Sequence, residues 1–392
     1  MDFNQLLNSD VQEFINANLN TNIIQLALTK NPFPEIEYTA IINQIKAKQK
    51  SKEKLPLWFN TPNIIFPSKI SVEQTSSEKT AEYKSKIISG TSLIDLSGGF
   101  GIDDYYFSKK IKSVTHCEIN SELSEIVAYN FNVLNTVNIT CINKNSTDYL
   151  NEINEVFDWI YIDPSRRNET KGKVFMFKDC EPYVPNLLPL YFSKSNNILI
   201  KTAPLLDLQA GIEELKHVKK IHIVAVKNEV KELLWEIKKD YDGDVSIISV
   251  NIDKDKQDVV ETIYQEDYEV VFSLPLNYIY EPNASLLKSG NFNAISEKYK
   301  CKKLHKHSHL YTSNSIINFP GRSFKIENII SLQKNEVKEH LFGKKLNIST
   351  RNFPIKVEDL KKKYKIKDGG TTFVFFTTNI DNKKIALICT KI

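Results

Sequence analysis

Apolar positions follow two different periods along the chain, and the period changes near residue 90. Before that point apolar side chains recur at helical spacing, as Val11, Ile15 and Leu19 do. A second helix is predicted from about residue 36 to residue 49. A third is predicted to open with a Thr-x-x-Glu capping box at residues 75–78. The first part of the chain is therefore predicted to be a helical region.

Short β-branched runs alternate with helical stretches from about residue 91. Seven runs are predicted as strands: residues 93–96, 114–117, 139–142, 159–162, 198–200, 221–226 and 245–250. Strands that alternate with helices predict βα units and an α/β fold with a parallel sheet. After residue 268 the pattern favours a small α+β module, with a lysine-rich helix at 357–364 and strands at 372–377 and 384–389.

Length and composition narrow the class of protein. A chain of 392 residues suits two or three domains. No apolar run approaches the roughly 18–20 residues that a membrane span needs. The five cysteines form no Cys-x-x-Cys pair, so neither a disulfide framework nor a cysteine-rich zinc module is expected. We expect a protein of the reducing cytoplasm, without a membrane partner.

Charge is spread unevenly along the chain. The net charge is +4, but residues 301–392 carry 19 Lys and Arg against seven Asp and Glu, a net +12. The preceding 300 residues therefore sum to −8. A basic module on an acidic body favours a polyanion such as RNA as partner, although a lysine-rich face that only solvates the module is the alternative.

A glycine-rich turn after the first predicted strand is the sharpest candidate site. The run Ile94-Asp-Leu-Ser-Gly-Gly-Phe-Gly-Ile-Asp-Asp104 ends a strand in Asp95 and then leads into a helix. A dinucleotide fingerprint would need glycine at position 104, where Asp104 stands, and no Gly-Lys-Ser/Thr of a phosphate loop is present. An acid before the glycines suits a ligand with cationic groups, such as the ammonium and sulfonium of S-adenosylmethionine.

The next two strand ends carry polar groups suited to a nucleoside. Glu118 ends the second predicted strand, where a carboxylate can accept both hydrogen bonds of a ribose diol. After the third strand, either Asn145 or Asp148 is predicted to hold the adenine edge. Because parallel strands direct their carboxyl ends to one edge, these groups are expected to face one crevice.

The fourth strand ends in Asp163-Pro-Ser-Arg-Arg167, which we predict to face the methyl acceptor. Pro164 fixes φ and removes a backbone donor. Asp163 is the first candidate for a general base. One of Arg166 and Arg167 is expected to be functional, because guanidinium suits phosphate and stacks on bases, and the other is expected to be structural.

These residues resemble class I S-adenosylmethionine-dependent methyltransferases over about residues 75–250. The runs Asp163-Pro-Ser-Arg-Arg, Lys201-Thr-Ala-Pro-Leu-Leu-Asp207 and Asn228-Glu-Val-Lys-Glu-Leu-Leu234 resemble a bacterial group assigned as RNA methyltransferases with a THUMP-like C-terminal domain. The stretch from Gln74 to Lys84 is similar to that group as well. The resemblance implies a Rossmann-like seven-stranded methyltransferase sheet.

The resemblance also implies the domain order and the roles of the site residues. Expected are an N-terminal helical domain (1–74), a methyltransferase domain (75–268), a ferredoxin-like segment (269–318) and a THUMP-like RNA-binding domain (319–392). The predicted cofactor-binding residues are Asp95, Ser97, Gly98, Gly99, Gly101, Asp103, Glu118, Ile119, Asn145 and Asp148. The predicted catalytic residues are Asp163, Pro164, Ser165 and Arg166. S-adenosyl-L-methionine is the expected cofactor, structured RNA (tRNA or rRNA) the expected partner, and no metal is expected.

The acceptor motif departs from that of enzymes that methylate base amino groups. Those usually have proline and an aromatic residue after Asp/Asn-Pro, whereas Ser165 and Arg166 stand there in this chain. Amino methylation of adenine or guanine is thereby disfavoured. Pyrimidine C5 chemistry would need a cysteine nucleophile, for which Cys180 is a weak candidate beside its interpretation as a core residue.

Two basic segments of the C-terminal module are candidates for RNA contact. Lys361, Lys362, Lys363 and Lys365 surround Tyr364, which suits phosphate contact with one stacking ring, or only a solvated helix. His305, His307 and His309 alternate, so on a strand they would share one face. With Lys302, Lys303 and Lys306 they are expected to form a polar or RNA-facing patch or, less favourably, a metal site. A methyltransferase for a small molecule or protein, and a non-catalytic RNA-binding protein, remain the alternatives.

Overall fold

The computed structural model describes residues 3–67, 72–166, 176–254 and 256–392. The chain divides into two compact units. The first consists of Met1–Lys219 with Leu233–Asp242, and the second of Lys220–Glu232 with Gly243–Ile392. No helix within the described ranges has the length and apolarity that crossing a membrane requires.

The N-terminal region of the first unit is helical, as predicted. After a 3-10 helix at Phe3–Leu7 come α1 (Ser9–Ala17), α2 (Ile23–Ala27), α3 (Tyr38–Lys54), α4 (Pro56–Asn60) and α5 (Glu78–Ser85). Apolar side chains of α1, α2 and α3 pack into one core cluster. Trp58 on α4 is buried against Tyr105 at a ring distance of 5.0 Å, so it anchors the fold.

The start of α5 differs from the sequence prediction. Ser77, not Thr75, is the N-cap, and Thr80 completes the capping box by exchanging hydrogen bonds of 3.2 and 3.1 Å with it. Glu78 was expected in that box, but its carboxylate instead accepts the backbone N–H of Leu57 at 2.6 Å. The helix therefore begins later, and residues 74–76 are left outside it.

Strands and helices then follow one another along the chain up to residue 238. They are β1 (Ser92–Asp95), α6 (Ile102–Ser108), β2 (Ser113–Cys117), α7 (Ser121–Val133), β3 (Ile139–Ile142), α8 (Ser146–Glu152), β4 (Trp159–Ile162), β5 (Ser165–Arg166), a 3-10 helix (Phe177–Asp179), β6 (Cys180–Glu181), α9 (Val184–Lys194), β7 (Asn197–Thr202), α10 (Leu208–Leu215), β8 (Val218–Val226) and β9 (Glu229–Lys238).

The strands of the first unit pair in the order β3-β2-β1-β4-β7-β9. All of these pairs are parallel except the last, in which β9 runs antiparallel to β7. The short strands β5 and β6 form a separate antiparallel pair directly after β4. The predicted parallel sheet with intervening helices is confirmed, and the carboxyl ends of β1, β2 and β4 meet at one edge.

Two hairpins replace the βα alternation that was expected to continue to residue 268. Strand β9 follows β8 through Lys227 and Asn228, which both adopt positive φ and so make a two-residue turn without glycine. Its sequence, Glu-Val-Lys-Glu-Leu-Leu-Trp-Glu-Ile-Lys, is rich in helix formers, which masks the strand in the sequence. Strand β11 (Lys256–Ile263) likewise follows β10 (Ser246–Asp253) in an antiparallel pair.

The second unit continues as an α+β module, as predicted. In it β8 pairs in parallel with β10. Its further elements are β12 (Tyr278–Pro282), α11 (Ala284–Ser289), α12 (Phe292–Lys298), β13 (Lys302–Lys303), β14 (Tyr311–Ser313), β15 (Gly321–Ile330), α13 (Lys334–His340), β16 (Asn347–Arg351), α14 (Val357–Tyr364), β17 (Thr372–Thr378) and β18 (Lys384–Lys391). A mixed sheet has the order β13-β14-β12-β15-β18-β17-β16, and apolar residues of α13 and α14 pack with it.

The histidine-rich segment is not a strand, contrary to the expectation of a shared face. It connects β13 to β14, with His309 at positive φ. His309 stacks on Phe292 at 3.5 Å, and His305 hydrogen-bonds the side chain of Asn352 at 2.9 Å. Lys303, which was expected to face RNA, is buried. These contacts pack His305, His309 and Lys303 into the module, whereas Lys302, Lys306 and His307 are exposed.

Candidate active site

A pocket of about 270 Å³ opens at the carboxyl edge of the sheet in the first unit. Its walls combine the glycine turn after β1, the ends of β4 and β7, and the segment that precedes α5. The lining residues are Gln74, Thr75, Ser76, Asp95, Ser97, Gly98, Gly99, Phe100, Gly101, Ile102, Asp103, Tyr161, Asp163, Ser165 and Lys201. The structure therefore brings the predicted glycine turn into one pocket with Asp163 and Ser165, two of the four predicted acceptor residues.

Close packing and backbone geometry explain the glycines of the turn. A Cβ at Gly98 would lie 2.4 Å from Cε1 of His116 and 2.7 Å from the carbonyl of Cys117. Gly99 and Gly101 have φ of 59° and 73°, in the left-handed region that favours glycine. Gly101 is the N-cap of α6, so the turn feeds directly into that helix.

Asp95 is held firmly at the base of the turn. Its Oδ1 accepts hydrogen bonds from the backbone N–H and the hydroxyl of Ser97, at 2.7 and 2.8 Å. Burial, reinforced by the charge of Asp104, raises the pKa of the Asp95 carboxyl well above its ordinary value. A bound cation would oppose both effects, which makes this site responsive to a ligand's positive charge.

A buried acid–histidine pair lies beneath the turn and was not predicted. Nδ1 of His116 is 2.6 Å from Oδ2 of Asp104, and both side chains are fully buried. Burial raises the pKa of Asp104 and lowers that of His116. Asp104 does not line the pocket, whereas the neighbouring Asp103 does. A histidine in the middle of a strand carries no sequence signal for such a role.

Asp103 is the centre of a second buried network. Its carboxylate accepts hydrogen bonds from Tyr161 at 2.7 Å and Ser76 at 2.8 Å, and Nζ of Lys84 lies 3.1 Å away. Burial opposes ionisation of Asp103, but Lys84, Lys201 and these hydrogen bonds hold its pKa below the ordinary value. The network ties α5 and the segment before it to the pocket wall.

Glu118 lies beside the glycine turn but outside the pocket lining. Its Oε2 accepts the backbone N–H of Gly99 at 3.2 Å, and its Oε1 accepts that of Asn120 at 2.8 Å. The neighbouring Ile119 is 69% exposed. The carboxylate thus lies next to the turn, with an exposed apolar side chain beside it.

The third strand end presents a helix cap. Asn145 caps α8 by accepting the backbone N–H groups of Thr147 and Asp148 at 2.9 and 3.2 Å, and Asp148 lies exposed in the first turn. Neither lines the pocket. Asn143, which was not predicted, donates to the backbone carbonyls of Glu118 and Ile119 at 2.9 and 3.2 Å and so ties the two strand ends together.

Ser97 and Lys201 hold Asp163, the first residue of the acceptor motif, in place. The backbone N–H of Asp163 donates to the hydroxyl of Ser97 at 2.8 Å, and its carboxylate is ion-paired with Lys201. Pro164 is buried, while Ser165 is exposed and donates to the carbonyl of Glu181 at 3.2 Å. The sequence places Lys201 in a run that resembles the family, but it predicts no role for this residue.

The remaining predicted residues of this motif lie around the short β5–β6 pair. The backbone of Arg166 pairs with that of Cys180, and Arg167 lies outside the described residues. Cys180 is 4% exposed and does not line the pocket. Its position fits a core residue better than a nucleophile.

The predicted RNA-binding residues lie on α14 and just after it, in the second unit. Lys362, Lys363 and Lys365 are exposed, whereas Lys361 is paired with Asp368 at 2.7 Å. Tyr364 is half-buried and stacks at 6.3 Å on Phe376 of the module core. The lysines thus form an exposed basic cluster, but the ring is partly committed to packing.

Comparisons with known proteins include a match over the whole chain. A protein from Porphyromonas gingivalis W83, whose crystal structure is described as that of a "putative methyltransferase", is 30% identical, with a TM-score of 0.88. The alignment covers 100% of this chain and 99% of that one. Curated proteins give no significant match.

Two less similar structures match only part of the chain. Trm5b from Pyrococcus abyssi is 16% identical over 46% of this chain and 51% of that chain, with a TM-score of 0.30. TrmK of M. capricolum, in complex with S-adenosyl-homocysteine, is 16% identical over 41% and 68%, with a TM-score of 0.33.

Family profiles match the C-terminal part of the chain. A ferredoxin-like domain matches residues 278–320, and a THUMP domain-like family matches residues 321–391. These matches and the full-length structural match confirm the predicted fold class and the resemblance. The chain belongs to the family of the Porphyromonas gingivalis protein, in which a methyltransferase-type α/β fold is followed by ferredoxin-like and THUMP-like domains.

Proposed function

We propose that the protein is an S-adenosylmethionine-dependent methyltransferase that methylates structured RNA by direct methyl transfer. The observation that carries this proposal is that Asp95 and the glycine turn line the same pocket as Asp163 and Lys201. A methyl donor and its acceptor must meet within one cavity, because most of the rate enhancement for a reactive sulfonium comes from alignment.

The pocket residues and the neighbouring ends of β2 and β3 together would hold the proposed cofactor. In this proposal Asp95, with Ser97 and the backbone of the glycine turn, holds the amino-acid end, and Asp103 completes that wall. Glu118 binds the ribose diol, Ile119 covers the adenine, and Asn145 or Asp148 contacts its edge. When bound, S-adenosylmethionine supplies a methyl carbon activated by a sulfonium.

Residues on the other wall would orient the acceptor. Asp163 and the backbone of Pro164 and Ser165 would fix the acceptor atom, with Arg166 as a contact to phosphate or base. Asp163 is the proposed base. No cysteine lines the pocket among the described residues, so direct transfer is favoured over a covalent intermediate.

The second unit supports RNA as the acceptor. Its THUMP domain-like match and its net charge of +12 over residues 301–392 both favour a polyanion. Lys361, Lys362, Lys363 and Lys365, with Tyr364, are the proposed contacts, tRNA and rRNA the proposed substrates, and the cytoplasm the proposed compartment.

The test uses the full-length protein, methyl-labelled S-adenosylmethionine and total RNA from a strain that lacks this gene. We expect label in one RNA species, and none with an Asp95→Ala variant. Calorimetry with S-adenosylhomocysteine should show binding to the parent protein. Cofactor binding without label in any RNA would overturn RNA as the acceptor, and absence of binding would overturn the methyltransferase assignment.

A further inference from the structure

An ion pair between Asp163 and Lys201 dominates the acceptor wall of the pocket. Strands β4 and β7 are parallel neighbours in which Ile162 pairs with Ile200, so the next residues of both strands lie side by side at the carboxyl edge. The Lys201 ammonium contacts Oδ2 of Asp163, and both side chains line the pocket. Strand register, rather than a flexible loop, therefore fixes the pair.

The Lys201 charge lies where it acts strongly on a ligand. The Lys201 side chain is 13% exposed, so water screens its ammonium less than it screens a surface charge. Asp103, another carboxylate of the wall, is paired with Lys84, and the charge of Lys201 helps to lower its pKa. Among the described lining residues Lys201 is the one cation. It would stabilise negative charge that develops on an acceptor atom.

The wall is poorly suited to an amino group of a base. An amino nitrogen gains positive charge as it attacks the methyl carbon, and the Lys201 ammonium on this wall would disfavour that charge. In addition, Arg166 stands where enzymes that methylate base amino groups have the aromatic residue that stacks on the base.

A hydroxyl acceptor has needs that this pair meets. Its proton must leave as the oxygen attacks, and the charge that develops on oxygen must be stabilised. A carboxylate beside an ammonium supplies both functions within one contact. Within an RNA chain the hydroxyl available at each internal nucleotide is the ribose 2′-hydroxyl, which is also what distinguishes RNA from DNA.

We propose that the methyl acceptor is a ribose 2′-hydroxyl and that Lys201 is the catalytic cation beside it, an inference that rests on the proposed function. The hydroxyl oxygen forms a bond to the methyl carbon, and its proton moves to Asp163 and then to water. The bond between that carbon and sulfur breaks, and its electron pair stays on sulfur. Lys201 keeps its proton and stabilises the oxygen during transfer.

The experiment identifies the methylated atom and the role of Lys201 separately. RNA labelled by the full-length protein is hydrolysed in alkali, which needs a free 2′-hydroxyl to cleave the chain. We expect the label in an alkali-resistant dinucleotide. Label in a mononucleotide, on the base, would overturn this inference and leave the proposed function intact. Absence of label from all RNA would overturn both.

Variants of the lysine complete the test. We expect Lys201→Met to lower kcat by about 100-fold, as removal of one group that stabilises an oxyanion does, while Lys201→Arg recovers part of it. The calorimetric affinity for S-adenosylhomocysteine should stay within about threefold of the parent value. Lys219→Met is the matched control, because Lys219 forms a 3.2 Å ion pair with Glu236 away from the pocket lining. An equal kcat for Lys201→Met and the parent would overturn the role of Lys201.

Discussion

Lysines occur in opposite surroundings in two regions of the molecule, the buried network around Asp103 and the exposed surface of α14. Lys84 is fully buried and paired with Asp103, whereas Lys362 and Lys363 are exposed to solvent. Breaking a buried pair leaves an uncompensated charge in a low dielectric, but a surface charge is solvated whether or not it has a partner. Substitutions among the buried charges beside the pocket should therefore change the free energy of unfolding and the affinity for the cofactor. Substitutions of the exposed α14 lysines should change only the affinity for a partner.

The largest effect is expected from Lys84→Met, which leaves Asp103 charged and buried. Removal of one partner of a buried ion pair costs about 3–5 kcal/mol. Tryptophan fluorescence during urea unfolding is the measurement, because all three tryptophans, Trp58, Trp159 and Trp235, lie in the first unit.

Lys50→Met is the matched control for that measurement. Lys50 lies 2.9 Å from Glu73 in an exposed pair, so its replacement should cost no more than about 1 kcal/mol. Equal destabilisation by the two variants would show that burial does not distinguish the two regions.

Asp95→Ala is expected to have the next largest effect, on cofactor affinity. Removal of one partner of a desolvated charge pair costs about 2–5 kcal/mol, or at least about 30-fold in Kd. Calorimetry with S-adenosylhomocysteine measures the change, with circular dichroism to check folding. Parent-like affinity of a folded variant would show that the site is misassigned.

A smaller effect is expected on the pH dependence of cofactor binding. Burial and Asp104 raise the pKa of Asp95 in the free protein, and a nearby ligand ammonium should lower it again. Binding should then release protons, so that affinity rises as pH increases through the raised pKa. Calorimetry in buffers of different ionisation enthalpy measures this release. Adenosine, which lacks the ammonium, should release fewer protons, and equal release would contradict the prediction.

The smallest effect on stability is expected from replacing Lys362, Lys363 and Lys365 with glutamine. These surface changes should alter stability by less than about 0.5 kcal/mol. They should weaken RNA binding and lower the slope of log affinity against log salt by about 0.7–0.9 for each RNA phosphate that the variant no longer neutralises. Filter binding over a salt series is the measurement.

A triple variant of Lys325, Lys334 and Lys338 is the control for the α14 cluster, because it removes the same charge from exposed positions of the same module. If both triple variants lower the salt dependence of RNA affinity equally, the net charge of the module determines RNA binding, and the positions of Lys362, Lys363 and Lys365 do not.

How much the sequence predicts depends on the distance between interacting residues. The glycine turn could be predicted because Asp95 and its glycines lie within seven residues and their φ requirements are local. The pairs Lys84–Asp103 and Lys201–Asp163 join different elements, and charged residues in such positions carry no local signal for their partners. The sequence therefore indicates the glycine turn and Asp163 of the pocket lining, but gives no role to Lys201 or Lys84.

Misleading local patterns account for the errors in secondary structure. Strand β9 contains helix-forming Glu, Lys and Leu, and its turn contains no glycine, so only its pairing with β7 identifies it as a strand. Alternation along the chain also led to the expectation that His305, His307 and His309 share one face of a strand. In the structure they lie in the turn that connects β13 to β14.

Because residues 233–242 belong to the first unit, the gene cannot be divided at one point into segments that each encode a whole unit. A gene fragment that stops at Lys219 omits β9, the strand that pairs with Lys201 and Thr202 of β7. One that stops at Asp242 includes β8 without β10, its parallel neighbour. Neither unit is thus encoded by one contiguous segment. Recombination that exchanged the basic module by a simple end-to-end fusion would leave one sheet incomplete, so the two units are expected to be inherited together.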